Sequence, residues 1–309
     1  MVCYSMNDGN TKKLKRIITH SGSFHTDEVF ACAVLWILYD GMVEVVRSRD
    51  PVVWGMADYL VDVGGVYNET IGRFDHHQIG GAGVRRNGIP YSSFGLVWKY
   101  CGEKVAGSAY AARMIDERMV QPIDAGDNGV QTFSTNGDIS PYLIQNAVNA
   151  FRPGWDEIRD SREAVDKSFF DILKFAKRLL RREIVRLHGE EEGTRRTEQA
   201  YQDAEDKRII ILDDRYSWYG ALCAHSEPLF VIKPSSDGRS WKVEAVRDSM
   251  SGFKNKKNLP EAWAGKRDDE LARISGVPDA IFCHKERFVA KAGSKDGAIQ
   301  LAQRALLDL

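Results

Sequence analysis

Three short clusters in the N-terminal third gather imidazole and carboxylate side chains. The first runs from His20 to Glu28 and holds His20, His25 and Asp27. The second is Val61-Asp62-Val63-Gly64-Gly65, and the third is Asp75-His76-His77. The chain has 7 His, and the first and third clusters hold His20, His25, His76 and His77 between them. Imidazoles mixed with hard carboxylate oxygens suit Mn, Mg or Fe better than a thiolate-seeking ion. A bent loop around Gly22 can aim His20 and His25 at one ion and Asp27 at a second. Asp62 has two oxygens and can bridge two ions roughly 3.5–4 Å apart, with Gly64-Gly65 letting the backbone turn sharply after it. Asp75, His76 and His77 offer further ligands, and Asp124 or Asp127 closes the site. Singly, each group has an ordinary explanation, such as a turn Asp or a strand-end His. Their coincidence at successive strand ends favours a metal site.

The elements that position these groups follow from apolar patterning. Arg16–Thr19, Val43–Val46, Tyr59–Val63 and Ile71–Phe74 read as strands, and Asp27–Tyr39 as a buried helix. Strands alternating with helices predict a parallel α/β sheet with helices on both faces. Ligands collect beyond the carboxyl ends of such strands, where all three clusters fall. Gly80–Gly88 is a Gly-rich loop with two Arg, either a mobile loop beside the site or a plain surface loop. Tyr91–Tyr100 and Ala111–Val120 read as helices, and Asp156–Leu187 as a long amphipathic one. The charged stretch Gly189–Lys207 is a solvated helix or a linker, and the domain boundary is placed in it. Beyond it, Arg208–Leu212 and Leu229–Lys233 resemble strands. A turn at Asp237-Gly238-Arg239 leads into Trp241–Val246, residues 280–291 form a hairpin, and Asp296–Leu307 is a closing helix. The expected organisation is a catalytic domain over residues 1–190 and a smaller α+β domain over residues 205–309.

Composition narrows the class. Hydrophobic content of 43% and charged content of 28% fit a soluble globular protein. The net charge of −1 leaves any nucleic-acid partner to a local basic patch. Cys3, Cys32, Cys101, Cys223 and Cys283 form no CxxC pair, which argues against structural zinc and disulfides and for a reducing cytoplasm. No apolar stretch approaches a membrane span, and Met1–Lys15 reads as a loosely packed lead-in without a signal-peptide core.

The spacing of His20, Asp27, Asp62 and Asp75-His76-His77 resembles the DHH phosphoesterase superfamily. Within it, the chain is most similar to the melanocyte-proliferating-gene family of metal-dependent exonucleases. The similar segments are His20–Glu28, Arg47–Pro51, Val61–Gly65, Phe74–Gln78 and Asp124–Gly129. Later ones are Ile232–Pro234, Asp237-Gly238, Trp241–Val246, Leu259–Trp263 with Gly265, and Ser275–His284. The resemblance implies that His20, His25 and Asp62 hold one divalent ion, and Asp27, Asp62, His76 and Asp127 the other, with Mn2+ expected and Mg2+ the alternative. It gives Asp62 and His77 the catalytic roles, His77 standing beside the ligands or contacting the leaving phosphate. Two departures stand out: His25 replaces the Asp of many members, and the usual Gly-Gly is Ala290-Lys291.

The implied activity is hydrolysis of RNA or short oligonucleotides by two-metal activation of water, as a 3′-5′ exoribonuclease. The alternative is a phosphatase or pyrophosphatase acting on a small phosphorylated molecule. A binding protein with a structural metal, or a zinc peptidase, fits less well; no HExxH motif is present. In the second domain Lys233, Arg247, Lys257, His284 and Lys291 are the substrate-binding candidates, with Lys254 and Lys256 in the same basic set. Trp241, Phe253 and Trp263 serve either to stack on bases or to pack the core. The long amphipathic helix can pack within one chain or between two copies.

Overall fold

The computed structural model describes residues 14–157, 162–250 and 252–308. The lead-in expected over Met1–Lys15 lies outside them, apart from Leu14 and Lys15. The chain forms two compact units, divided between Leu187 and His188.

The first unit is built on a five-stranded sheet. Its elements in chain order are β1 (Lys15–Thr19), α1 (Thr26–Leu38), β2 (Val43–Arg47), α2 (Pro51–Trp54), β3 (Tyr59–Val61), β4 (Tyr67–Asn68) and β5 (Arg73–Phe74). The sheet order is β2-β1-β3-β5-β4. β1 pairs parallel with β2 and β3, and β3 with β5, while β4 runs antiparallel to β5. The parallel strands put the carboxyl ends of β1, β3 and β5 on one edge. Then come α3 (Ser93–Ala106), α4 (Ala109–Ile115), a π turn over Asp116–Val120, α5 (Gln121–Asp127) and α6 (Ile144–Ala150). α1 is apolar nearly all round and is buried from Thr26 to Leu35, so it forms the centre of the core with Phe94, Val97, Ile123, Phe169 and Leu173 around it. The opposite sheet face carries a smaller cluster, Ile18, Leu60 and Val63, covered by Val53 and Trp54 of α2. Helices thus lie on both faces, unequally.

Two expected strands are shorter than read. β3 ends at Val61 because Asp62 has a φ of 56°, a left-handed conformation that cannot continue a strand. β5 begins only at Arg73 because Gly72 has a φ of 67°. There a Cβ would meet Asp58 O at 2.4 Å. The Gly-rich loop is largely exposed but is anchored at Arg85. Arg85 bonds Asp124 at 2.6 Å and reaches Asp116 at 3.1 Å, and its side chain is nearly buried.

The long helix α7 spans Arg162–Asp203. It continues through the stretch that reads as a solvated helix or linker. Ion pairs one turn apart support its exposed face: Glu183 with Arg186, and Glu192 with Arg195 and Arg196.

The second unit holds β6 (Ile209–Ile211), α8 (Tyr219–Cys223), β7 (Phe230–Pro234), β8 (Trp241–Ala245), α9 (Asp268–Ser275), β9 (Ala280–Cys283), β10 (Val289–Ala292) and α10 (Lys295–Leu307). Its sheet order is β6-β7-β8-β10-β9; β6 and β7 are parallel and the other pairs antiparallel. The β7–β8 turn forms because the Asp237 carboxylate accepts from Arg239 N at 2.9 Å and Ser240 N at 3.0 Å, with Gly238 at a φ of 66°. Trp263 is buried in the core against one face of this sheet. No helix among the described residues is long and apolar enough to cross a membrane.

Candidate metal centre

The loops after β1, β3 and β5 and the end of α5 bring the sequence clusters together. Three overlapping sets of potential ligands result. The first is His20, His25, Glu28 and Asp62; the second is Asp62, His76 and His77; the third is Asp27, His76 and Asp127. Within each set the ligand atoms lie within 4.8 Å of one another. Asp62 belongs to two sets and His76 to two, so the sets form one continuous cluster.

Each side chain is placed by its local structure. His20 follows β1 directly, and its Nε2 lies 3.1 Å from Glu28 Oε1 and 3.2 Å from Asp62 Oδ2. Glu28 stands in the first turn of α1, where its carboxylate accepts from His25 N at 2.7 Å and 2.8 Å. Asp62 Oδ1 accepts from Ser93 Oγ at 3.1 Å and lies 3.4 Å from His76 Nε2 and 3.3 Å from His77 Nδ1. His76 Nε2 also lies 3.2 Å from Asp127 Oδ2 and 3.9 Å from Asp27 Oδ2. Asp75 acts as a staple: it accepts from Gly65 N at 2.6 Å and His77 N at 3.0 Å, and its Oδ1 holds His77 Nδ1 at 2.9 Å.

Asp127, not Asp124, is the late carboxylate in the cluster. Asp124 is fully buried and engaged by Arg85, Ser92 Oγ at 2.6 Å and Gly95 N at 3.0 Å. Burial pushes its carboxyl up to about 6 even so. Glu28 was not among the ligands expected from the sequence. Its signal was available, since an acid three residues after a helix-capping position marks a capping box.

The electrostatics are those of crowded charge. Asp27 is pushed up by burial and by Asp62, Asp127 and Glu28. Its Oδ1 is buried with no hydrogen-bond partner. Burial pulls His20 down, but hydrogen bonds to Asp62 and Glu28 outweigh it and raise the ring to about 9. His76 rises against its burial to about 10 through Asp127 and Asp62. His77 rises to about 9, through Asp62 first and against partial burial, with Asp75 adding. Asp62, despite burial, is held well below the usual carboxylate range by hydrogen bonds from all three rings. A buried carboxylate oxygen without a donor, amid clustered acids and imidazoles, fits a hard divalent cation.

Of the five basic candidates of the second unit, Lys233 and Lys291 flank Lys242 on one face of the sheet, through the β7–β8 and β8–β10 pairings. Lys233 pairs with Glu244 at 2.9 Å, and Lys291 with Asp237 at 3.4 Å. Lys257 donates to Asp308 O at 2.5 Å, and Lys256 to the carbonyls of Leu222 and His225. His284 Nδ1 accepts from Glu286 N at 3.1 Å. Arg247 alone of the five lines a cavity of about 680 Å³, with Tyr219, Phe253 and Lys254. Its guanidinium lies 5.0 Å from the centres of both the Tyr219 and Phe253 rings. Phe253 is exposed, whereas Trp263 packs the core.

The chain is similar to known proteins along nearly its whole length. The MYG1_exonuc family model, described as "Uncharacterised protein family (UPF0160)", matches residues 16–306. The MYG1 protein of Schizosaccharomyces pombe is 30% identical, over 95% of this chain and 98% of its own. The MYG1 protein of Dictyostelium discoideum is 32% identical, over 94% of this chain and 96% of its own. The MYG1 exonuclease of Homo sapiens is 29% identical, over 94% of this chain and 85% of its own. With one family model matching almost end to end and relatives aligned over nearly all of their length, the chain belongs to the MYG1_exonuc family.

Proposed function

We propose that this protein is a metal-dependent phosphodiester hydrolase of the DHH type, acting on RNA or short oligonucleotides as an exonuclease. The observation that carries the reading is the cluster itself: three ligand sets joined through Asp62 and His76 in a buried, acid-rich centre. The name exonuclease borne by relatives such as the human protein supports the same class of reaction.

His20, His25, Glu28 and Asp62 would hold one divalent ion, and Asp27, Asp62, His76 and Asp127 a second, with Mn2+ the expected metal. When bound, such ions activate water near neutral pH and neutralise charge on the phosphoryl oxygens. Ser93 and the three rings orient the Asp62 carboxylate so that both its oxygens face the centre. Asp75 and Asp62 hold His77 at Nδ1, which leaves Nε2 to carry a proton to the leaving oxygen. The His77 side chain is 63% exposed, so that nitrogen is open to substrate. In the C-terminal unit, Arg247 with its two flanking rings supplies the group best suited to grip a single strand.

The test is a turnover assay of the Mn2+-loaded protein on oligoribonucleotides, oligodeoxynucleotides, nucleoside monophosphates and pyrophosphate. Cleavage of oligoribonucleotides supports the reading. Cleavage confined to monophosphates or pyrophosphate replaces it with a small-molecule phosphatase. Asp62→Asn should lower turnover roughly a hundredfold or more while the circular dichroism spectrum stays native. Unchanged turnover would show that the working centre lies elsewhere.

A further inference from the structure

The cluster opens into two cavities, and His25 and His77 line both. One, of about 520 Å³, is lined further by Arg49 and Trp54. The other, of about 570 Å³, is lined by Thr26, His76, Asp127, Asn128, Gln145, Asn149 and Arg152.

Arg152 follows α6 and packs its guanidinium 5.8 Å from the Phe24 ring centre. Its Nε is buried without a hydrogen-bond partner. The two most buried arginines of this unit each face a carboxylate, Arg47 with Asp166 at 2.5 Å and Arg85 with Asp124 at 2.6 Å. Arg152 has no ion-pair partner among the described residues. Glu28 acts on it only as a nearby charge, and a half-buried arginine with an unpartnered Nε and no ion pair is suited to an anion. The neighbouring amides complement it. Asn128 Nδ2 donates to Asp124 O at 2.8 Å, and Gln145 Nε2 to Pro122 O at 3.1 Å. Each amide oxygen is thereby left to accept from a hydroxyl. One fixed cation beside hydroxyl acceptors matches a sugar phosphate. The volume suits a mononucleotide, within the ~300–1,000 Å³ range of small-ligand sites.

We propose that this cavity is a subsite for the terminal nucleotide of the substrate. Arg152 binds its phosphate, and Asn128 and Gln145 accept from its sugar hydroxyls. The inference rests on the hydrolase reading for its biological meaning, but its test does not. Arg152 is a positioning residue: it holds the phosphate against the centre and takes no part in proton transfer.

The experiment is equilibrium binding of AMP, adenosine and inorganic phosphate to the Mn2+-loaded full chain, with metal content measured in parallel. Arg152→Met should weaken AMP roughly tenfold to a hundredfold and leave adenosine and manganese content unchanged. Arg152→Lys, which keeps the charge but not the fork, should fall between the two. Inorganic phosphate should bind more weakly than AMP, because it lacks the sugar. Should Arg152→Met not fold, the Lys variant carries the comparison alone. The proposal is overturned if wild type does not bind AMP, or if both variants bind it as wild type does. Joint loss of AMP, adenosine and manganese also overturns it, since that marks a structural role. A protein that shows Arg152-dependent AMP binding yet cleaves no oligonucleotide would defeat the hydrolase reading and leave this one standing.

Discussion

Two of the proposed ligand rings, His20 and His76, carry protons that a bound metal would displace. His20, His76 and His77 are raised to about 9, 10 and 9, so all three are cationic at pH 7 in the metal-free protein. Ligation needs the neutral ring. Metal loading at pH 7 should therefore release protons, and apparent affinity should climb as pH rises toward about 9 to 10. Calorimetry of Mn2+ binding in two buffers of different ionisation heat measures the release; heats independent of buffer would contradict it. Glu28→Gln tests the ligand missing from the sequence reading. It should cut metal affinity roughly 10–100-fold, the range seen when a supporting ligand group is lost, by direct titration. At this scale much of the centre was legible. His20, Asp62 and His76 each stand at the end of an apolar run, and strand ends are where parallel sheets expose chemistry. Glu28 escaped notice because it looked like an ordinary first-turn acid. Asp124 and Asp127 were indistinguishable by spacing. Only packing separates them, since Arg85 and Ser92 claim the first and His76 faces the second.

Among the elements, α5 and the Gly-rich loop depend on one buried pair. Removing Arg85 leaves the Asp124 carboxylate buried opposite no cation, and Arg85→Met should cost about 3–5 kcal/mol in urea unfolding. The cost should depend on pH. The folded carboxyl titrates at about 6, above the ordinary value of 3.8. The fold therefore holds this proton more tightly than the unfolded chain does. The stability this contributes is full below pH 4 and is lost as pH rises through 6. Arg85→Met should thus be more damaging at pH 8 than at pH 5; equal loss at both would show that Asp124 stays neutral throughout. The sequence pattern reached the main strands and α1 because their apolar runs are unbroken. It read β3 too long because the left-handed turn at Asp62 is a backbone event that residue types do not display. It stopped α7 short because the helix beyond Leu187 buries only a narrow face of small and aromatic residues, Gly193, Thr197, Tyr201 and the partly buried Ala200, with no run of large aliphatic side chains to mark it.

For the whole molecule, metal binding must feed into stability, because the cluster exists only when three strand ends and α5 are assembled. An ion present at about 100 times its Kd adds roughly 2.7 kcal/mol to the folded state. For a unit of this size that is a rise of several degrees in melting temperature. Mn2+ should raise the melting temperature, and a chelator should reverse it. Hydrogen exchange should show the added protection in the loops after β1, β3 and β5 and not in residues from His188 onward. Protection spread evenly over both units would place the ion elsewhere.

The left-handed backbone at Asp62 restricts what can stand there. Asp, Asn and Gly are the residues that adopt it at little cost. A library screened for folding alone would narrow to those three letters and show no preference for the acid. Only a screen for manganese retention would pick Asp out of them. Comparing the two screens would separate what the chain's architecture demands at this position from what its chemistry demands.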